Sequence, residues 1–455
     1  MKDELVDRLR SVLDDVVDDP DVLDGHRNDH ATFCTAGTPR ALVRPASTTE
    51  VQAVLKVASE LRVPVVTQGA RTGLSGAANA IDGCLLLSTA RLDRILEISA
   101  EDQVAVVQPG VVNAALSRAV LEQDLFYPPD PSSWEMSTIG GNIATNAGGL
   151  CCVKYGVTSD FIRGLEVVLA SGEVVRTGRR AAKGVAGYDL TRLIVGSEGT
   201  LGVVTEATLA LRPAPEAALT AAATFLTIED GIAAAAAVMA SGLRPSLLEF
   251  LDQPTLRAIQ DYRDMGLPKD VGSMLLAQSD RGARAADDVA RIAAICSAHG
   301  AIDVAEASDA EESRMLLEAR RLVNSALEPL GVTLIDDVSV PRSQLVALLR
   351  GIADIGSKYG VLICCPGHVG DGNMHPTVVF DRNDAEAEAR ALQAFGAVME
   401  LGLRLGGTIT GEHGIGTLKA SWLETELGPV GLELHRRVKA AFDPLNLLNP
   451  GKVLL

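Results

Sequence analysis

The chain carries no basic tract, no C-x-x-C pair and no apolar run long enough to cross a bilayer, and each absence removes a class of function. A nucleic-acid face needs clustered Lys and Arg to meet phosphates. Here Asp and Glu outnumber Lys and Arg 59 to 41 over 455 residues, a net charge of −18. Nucleic acid is not an expected partner, and the same balance argues against a polybasic membrane anchor. It does not argue against an anionic substrate, since local cations suffice for that. The seven cysteines (Cys34, Cys84, Cys151, Cys152, Cys296, Cys364 and Cys365) lack the spacing of iron–sulfur or Cys-type zinc ligands and read as reduced thiols of a cytosolic protein. The N-terminus, MKDELVDRLRSVLDD, is acidic and helical, with no signal-type apolar core. No run approaches the roughly 20 apolar residues of a transmembrane helix. The expected location is the cytoplasm, with peripheral docking on a membrane left open.

The common nucleotide signatures are missing as well. No G-x-G-x-x-G follows a strand and no G-x-x-x-x-G-K-[ST] exists, which disfavours NAD on a Rossmann fold and ATP on a P-loop. Three other glycine-rich segments are present. Gly69-Ala70-Arg71-Thr72-Gly73-Leu74-Ser75-Gly76 follows the strand-like PVVTQ. Thr138-Ile139-Gly140-Gly141-Asn142-Ile143-Ala144-Thr145-Asn146-Ala147-Gly148-Gly149 follows the Pro-rich turn Pro128-Pro129-Asp130-Pro131. The third is Gly196-Ser197-Glu198-Gly199-Thr200-Leu201-Gly202. Closely spaced glycines let backbone N–H groups turn toward one anion without Cβ clashes, so such loops can cradle a pyrophosphate. A plain turn explains any one of them; three together, with Thr, Ser and Asn donors interleaved, point to a dinucleotide held by a different fold.

At 455 residues and 47% apolar content, two or three globular domains are expected. Residues 1–37 read as an N-terminal helical arm. Over 38–215 the pattern is α+β: strands at 41–45, 64–69, 84–88, 94–98, 104–110, 165–171, 173–178 and 203–213, with a helix from a Ser47 or Thr48 cap through Leu61 and another at about 113–124. Pro213 and Pro215 mark a boundary. From 216 to 410 helices at 228–241, 283–299, 309–328, 343–359 and 383–405 alternate with short strands. Two β-α-β-like rounds predict a ferredoxin-like antiparallel sheet with helices on one face. Residues 411–455 form a C-terminal segment.

Seven histidines occur. His26, His30, His299 and His435 stand alone and read as surface or satisfied core residues. His368 and His375 share the Gly-bent segment GHVGDGNMHP, and GEHGIG adds Glu412 and His413. Imidazoles with a carboxylate suit Zn²⁺, Mn²⁺ or Fe²⁺ with positions left open for substrate, although His-Gly loops also serve catalysis without metal.

The run TIGGNIATNAGG, with DPSS upstream and SEGTLGVVT downstream, resembles the glycolate oxidase, D-lactate dehydrogenase and D-2-hydroxyglutarate dehydrogenase group of the vanillyl-alcohol oxidase superfamily. GHVGDGNMH and EHGIG resemble further signatures of that group, and the likeness covers about residues 38–455. It implies a two-subdomain FAD-binding domain with an antiparallel-sheet cap domain, and a C-terminal segment that completes the active and flavin sites. It places the FAD diphosphate on Gly69–Gly76, and the isoalloxazine and ribityl chain along Thr138, Gly140, Gly141, Asn142, Thr145, Gly148 and Gly149. Val203 and Val204 would lie near the adenine or ring, with Pro131, Glu198, Gly199 and Asn449 also at the cofactor. Relatives that bind FAD covalently use a His in the first loop; this loop has none, which implies non-covalent FAD. The likeness carries over His368, His375 and Glu412 as ligands of Zn or Mn. It gives His413 as the base facing the flavin, and Arg320 and Asn373 as substrate-binding residues.

The implied chemistry is oxidation of a 2-hydroxy acid. The metal acidifies the α-hydroxyl, His413 removes its proton, and hydride passes from Cα to flavin N5. A structural ion pair with a neighbouring Glu is the bland alternative for Arg320, and Lys419 reads as solvated or near the flavin. The group's D-2-hydroxyglutarate members carry a Lys and an Asn where this chain has Ile335 and Thr377, so a monocarboxylate such as D-lactate or glycolate is favoured over D-2-hydroxyglutarate. The electron acceptor is left open among quinones, cytochromes, an electron-transferring flavoprotein and an iron–sulfur subunit, as is a homodimer. Two other classes stay open: a metallohydrolase, which leaves the glycine-rich loops unexplained, and a non-catalytic flavin-binding subunit.

Overall fold

The computed structural model describes residues 3–31, 33–267 and 270–454. They divide into two units. The first joins the chain up to Gly149 with Val157–Ala214 and everything from Glu412 onward; the second takes Leu150–Gly156 and Pro215–Gly411.

The first unit holds two sheets. One is four-stranded, in the order Val16–Val17, Ala41–Val43, Leu85–Ser88, Val65–Gln68, with its last three strands parallel. The other is antiparallel, in the order Ile95–Ser99, Val104–Val107, Val203–Ala210, Ile162–Val168, Val174–Gly178. Helix Thr48–Leu61 serves both. Its Val51, Val54, Leu55 and Ala58, at i, i+3, i+4 and i+7, form one apolar stripe. They pack with Ala41, Val43, Val65 and Leu85 of the first sheet and with Val168 and Val203 of the second. Each buried Val or Leu here contributes roughly 1.5–3 kcal/mol of transfer free energy. The stretch 1–37 is expected as a helical arm, and its described first helix is part of this core. Helix Glu4–Arg10 inserts Leu5, Val6 and Leu9 into the same core, because its apolar positions also fall on one face.

In the second unit the expected antiparallel sheet is present, with seven strands in the order Ala301–Glu306, Leu219–Phe225, Ser273–Ser279, Leu247–Asp252, Gly367–His368, Asn373–Met374, Val338–Ser339. A smaller antiparallel sheet orders Val332–Ile335, Thr377–Phe380, Leu362–Cys364. Two expectations need correction. The single helix over 309–328 is two, Ala310–Leu316 and Glu318–Leu327, joined at Leu317. The strand over 332–340 is also two, one in each sheet. Between them lie Asp336 and Asp337, both fully buried.

Among the described residues no helix is long and apolar enough to cross a membrane, and no disulfide joins any of the seven cysteines. Burial pushes the thiols of Cys84 and Cys296 up to about 11, which keeps them protonated near neutral pH.

The helix Thr48–Leu61 that joins the two sheets starts at a reciprocal cap. Ser47 Oγ accepts from Glu50 N at 3.2 Å, and Glu50 Oε2 accepts from Ala46 N at 2.7 Å. Ser47→Ala should cost about 1 kcal/mol of stability, read as a lower urea midpoint with an unchanged m-value. An unchanged midpoint would show that packing alone fixes this helix start.

Candidate functional site

The first unit contains a cleft with about 1370 Å³ of empty space, lined from all three glycine-rich segments and from the C-terminal segment. Gly69–Ser75 form one wall as the loop that leaves strand Val65–Gln68. Its shape is held from below. Gln68 Nε2 donates to the carbonyls of His26 and Ala78, each at 2.8 Å, and His30 N donates to Gly73 O at 3.0 Å. Arg71, at φ 61°, donates through Nη1 to Gly25 O at 2.8 Å, and burial lowers its pKa. Asp29, which the sequence did not single out, lines the cleft and accepts from Ala31 N and Ala78 N. Burial pushes its carboxyl up.

The second segment is not a loop. Residues Ile139–Thr145 form a helix, because Thr138 Oγ1 caps it by accepting from Gly141 N at 3.4 Å and Asn146 closes it in the left-handed conformation. Gly140 is needed for the approach of this helix to the chain before it: a Cβ there would sit 2.5 Å from Pro109 Cβ and 3.0 Å from its carbonyl oxygen. Thr138, Gly140, Gly141, Asn142, Thr145 and Gly148 line the cleft, as does Pro131. Asn142 is buried and its Nδ2 has no hydrogen-bond partner, so the cleft offers a donor that a polar ligand would satisfy.

The third segment is docked on the second. Gly196 N donates to Ile143 O at 2.9 Å and Glu198 N to Ala144 O at 2.8 Å. Glu198, Gly199 and Val204 line the cleft. Val203 does not; as its neighbour on the strand it faces the opposite side and joins the core. Gly76 and Gly149 also lie outside the lining. A Cβ on Gly76 would collide with Cys34 and Thr417, and one on Gly149 with Asp130, so both permit close packing behind the wall.

The C-terminal segment is fastened to this wall by two side chains. Glu198 Oε1 accepts from Ile415 N at 2.7 Å and Oε2 from Gly416 N at 2.8 Å. Asn449 accepts from Thr67 N at 3.0 Å and donates to Glu198 O at 2.8 Å. The result seats Glu412 and His413 in the cleft lining. Glu412 lies against Gly148, where a Cβ would stand 2.0 Å from Glu412 Oε2. Lys419, read as solvated or near the flavin, is not solvated: it is 1% exposed, and it lies outside the cleft lining.

The second unit gathers His368 and Arg320 around Glu249, in the middle of strand Leu247–Asp252. Gly367–His368 and Asn373–Met374 form a tight hairpin in which His368 pairs with Asn373. The His368 and His375 rings stand edge to face at 5.0 Å between centroids. His368 Nδ1 lies 2.6 Å from Glu249 Oε1, and Arg320 Nε donates to Glu249 Oε2 at 2.7 Å. Arg320 is thus ion-paired, but to a Glu on a strand rather than to a neighbour on its own helix. Asp337 Oδ1 is 3.9 Å from His375 Nδ1, and Asp337 Oδ2 accepts from Thr410 Oγ1 at 2.7 Å. Burial pushes the Glu249 carboxyl up, but His368 and Arg320 together outweigh it and hold the group below its ordinary value. Glu249 and Asp337 were missed from sequence. The available signals were one carboxylate in the otherwise apolar LLEFL and the Asp pair that interrupts VTLIDDVSV. Of the histidines set aside, His26, His299 and His435 each bring Nδ1 within 2.9 Å of the carbonyl four residues earlier.

Glu198 also makes the first unit sensitive to pH. Burial raises its carboxyl from 4.5 to about 7; the N–H groups of Ile415 and Gly416 and the charge of Lys452 pull it down, and Asp29 adds to the rise. A carboxyl raised on folding contributes its stability fully below pH 4.5 and loses it as pH climbs to about 7. The loss should amount to about 3 kcal/mol. Denaturation measured across that window should show it in the native chain and not in Glu198→Gln; a slope that survives the substitution would assign it to other groups.

A family model described as FAD linked oxidases, C-terminal domain, matches residues 214–453, and one described as FAD binding domain matches residues 39–178. The glycolate oxidase subunit GlcD of Bacillus subtilis (strain 168) is 47% identical over 417 residues, 91% of this chain and 89% of that protein. The D-lactate dehydrogenase of Anaerostipes hadrus is 36% identical over 425 residues, 91% of this chain and 89% of that one. Among solved structures, p-cresol methylhydroxylase with substrate bound superposes with a TM-score of 0.80 at 20% identity, over 99% of this chain and 96% of that chain. That last likeness establishes the fold, which is of the vanillyl-alcohol oxidase type. With the cofactor-binding and C-terminal domains both matched, the chain belongs to the FAD-linked oxidases and is an FAD-dependent oxidoreductase, similar along most of its length to glycolate oxidase subunits and D-lactate dehydrogenases.

Proposed function

We propose that the chain oxidises a small D-2-hydroxy acid, with D-lactate or glycolate favoured, to the 2-oxo acid, assisted by a divalent metal ion and by FAD held without a covalent bond. The observation that carries this reading is that His413 and Glu412 line the same cleft as the glycine-rich segments expected to hold FAD. When bound, FAD supplies the two-electron acceptor, and Zn²⁺ or Mn²⁺ supplies a Lewis acid for the substrate hydroxyl. The orphaned Nδ2 of Asn142 and the glycine walls suit a large polar ligand, and the absence of His in Gly69–Gly76 favours non-covalent binding.

In this reading His368, His375 and Glu412 are the metal ligands. Two buried imidazoles side by side, one already tied at Nδ1, are a donor set that suits such an ion. Arg320 binds the substrate carboxylate: its Nε is engaged by Glu249, and its two terminal nitrogens have no protein partner among the described residues. Asn373 contacts the substrate, and His413 accepts the proton of its hydroxyl. Electrons leave to a separate acceptor, for which a quinone, a cytochrome, an electron-transferring flavoprotein or an iron–sulfur subunit is suited.

Substrate size is set at Ile335 and Thr377. These two residues are cross-strand partners in one sheet, so the positions that are polar in D-2-hydroxyglutarate enzymes face each other here without an amine or an amide. A second carboxylate would find no matching donor there, and an unmatched buried charge is costly.

Anaerobic addition of D-lactate or glycolate should bleach the flavin absorbance. His413→Ala should slow bleaching by at least about a hundredfold with FAD still bound; full-speed reduction in that variant removes His413 from the chemistry, and no bleaching of the native protein by any hydroxy acid removes the reading itself. The double variant Ile335→Lys/Thr377→Asn should shift the kcat/KM ratio of D-2-hydroxyglutarate to D-lactate upward by about tenfold or more. An unmoved ratio would place the size determinant elsewhere.

A further inference from the structure

Strand Leu247–Asp252 reads LLEFLD and is buried along its whole length. Glu249 shares a face with Leu247 and Leu251, which pack in one core with Ala319 and Val323 of helix Glu318–Leu327. The fold alone would be served by apolar side chains at this position and at Arg320 together, since replacing a buried ion pair by packed apolar groups is often neutral or stabilising. Instead a fully buried carboxylate stands there and divides its two oxygens between Arg320 Nε at 2.7 Å and His368 Nδ1 at 2.6 Å.

This division does two things that leucine could not. An ionised carboxylate only accepts hydrogen bonds. It therefore fixes the proton of His368 on Nδ1 and leaves the lone pair on Nε2. It also holds the guanidinium by its inner nitrogen, which leaves the outer pair as a fork for a carboxylate. Both effects issue from one residue on a central strand of the seven-stranded sheet, so they cannot be set independently.

We propose that Glu249 is a positioning residue that locks the ligating nitrogen of His368 and the aim of Arg320 together, so that metal affinity and recognition of the substrate carboxylate rise and fall as one. The proposal rests on the hydroxy-acid reading above. Glutamine at 249 has the same shape but presents one acceptor and one donor. Its amide can still accept from Arg320 or from His368, but not from both, and where it donates to Nδ1 the His368 proton moves to Nε2.

The test uses FAD-loaded protein stripped of metal, titrated with Zn²⁺ against a chromophoric chelator, followed by steady-state kinetics at saturating Zn²⁺ with whichever of D-lactate or glycolate reduces the native flavin. Glu249→Gln should weaken Zn²⁺ binding about 10–100-fold and raise KM about tenfold or more, with FAD content and flavin spectrum unchanged. The double variant Glu249→Met/Arg320→Met, which replaces the ion pair by apolar groups of similar length, should keep the unfolding midpoint within a few degrees while losing both functions, which separates positioning from folding. In an Arg320→Met background, Glu249→Gln should raise KM no further yet still weaken Zn²⁺ binding. Native-like Zn²⁺ affinity and KM in Glu249→Gln overturn the proposal, as does a change in only one of the two. Failure of the native protein to bind Zn²⁺ or to be reduced by either acid overturns the hydroxy-acid reading, and this inference with it.

Discussion

The carboxylate of Glu198 is the point at which the cofactor unit closes. Its backbone sits in the third glycine-rich segment, with its N–H donating to the Ala144 carbonyl of the second. Its two oxygens hold the N–H groups of Ile415 and Gly416, 217 and 218 residues further along the chain. Its carbonyl is held by Asn449, which also accepts from Thr67 N of strand Val65–Gln68. Hydrogen bonds to a buried charged group are among the strongest a side chain can make. The geometry of the His413 segment therefore rests on a group whose protonation is itself balanced between burial and those same bonds.

The second unit uses the same device with different partners. Glu249 lies between a guanidinium and an imidazole, and Asp337 between a threonine hydroxyl and a second imidazole. All three acids are deeply buried, and all three hold parts of the candidate site rather than sitting in the surface ion pairs that make up most of the salt bridges. Surface pairs such as Arg437–Glu433 contribute little to stability. The buried acids cost desolvation free energy and return fixed orientation of the groups they hold.

Much of this was legible in the sequence, and the reasons differ by element. Strands such as Val203–Ala210 announce themselves through alternation, and helix Thr48–Leu61 through a cap followed by a four-residue apolar stripe. Spaced glycines with interleaved hydroxyls marked the segments that line the cleft. Two things were not legible. Residues Ile139–Thr145 looked like a loop because Gly140 and Gly141 weaken helix propensity, yet the Thr138 cap and the need to pass close to Pro109 favour a helix. Asp29, Glu249 and Asp337 carry no motif; their importance arises only when folding removes them from water beside partners distant in sequence. A lone acid inside an apolar strand is the one trace such a residue leaves, and LLEFL is an instance.

The discontinuous course of the first unit bears on how the protein is made. A ribosome delivers the three glycine-rich segments early, but Ile415, Gly416 and Asn449 emerge only after all of Pro215–Gly411 has been translated. Until then Glu198 has no N–H groups to receive, and the wall bearing His413 does not exist. The cleft is thus completed only after the second unit has been made, and a nascent chain arrested before Ile415 carries an unfinished one.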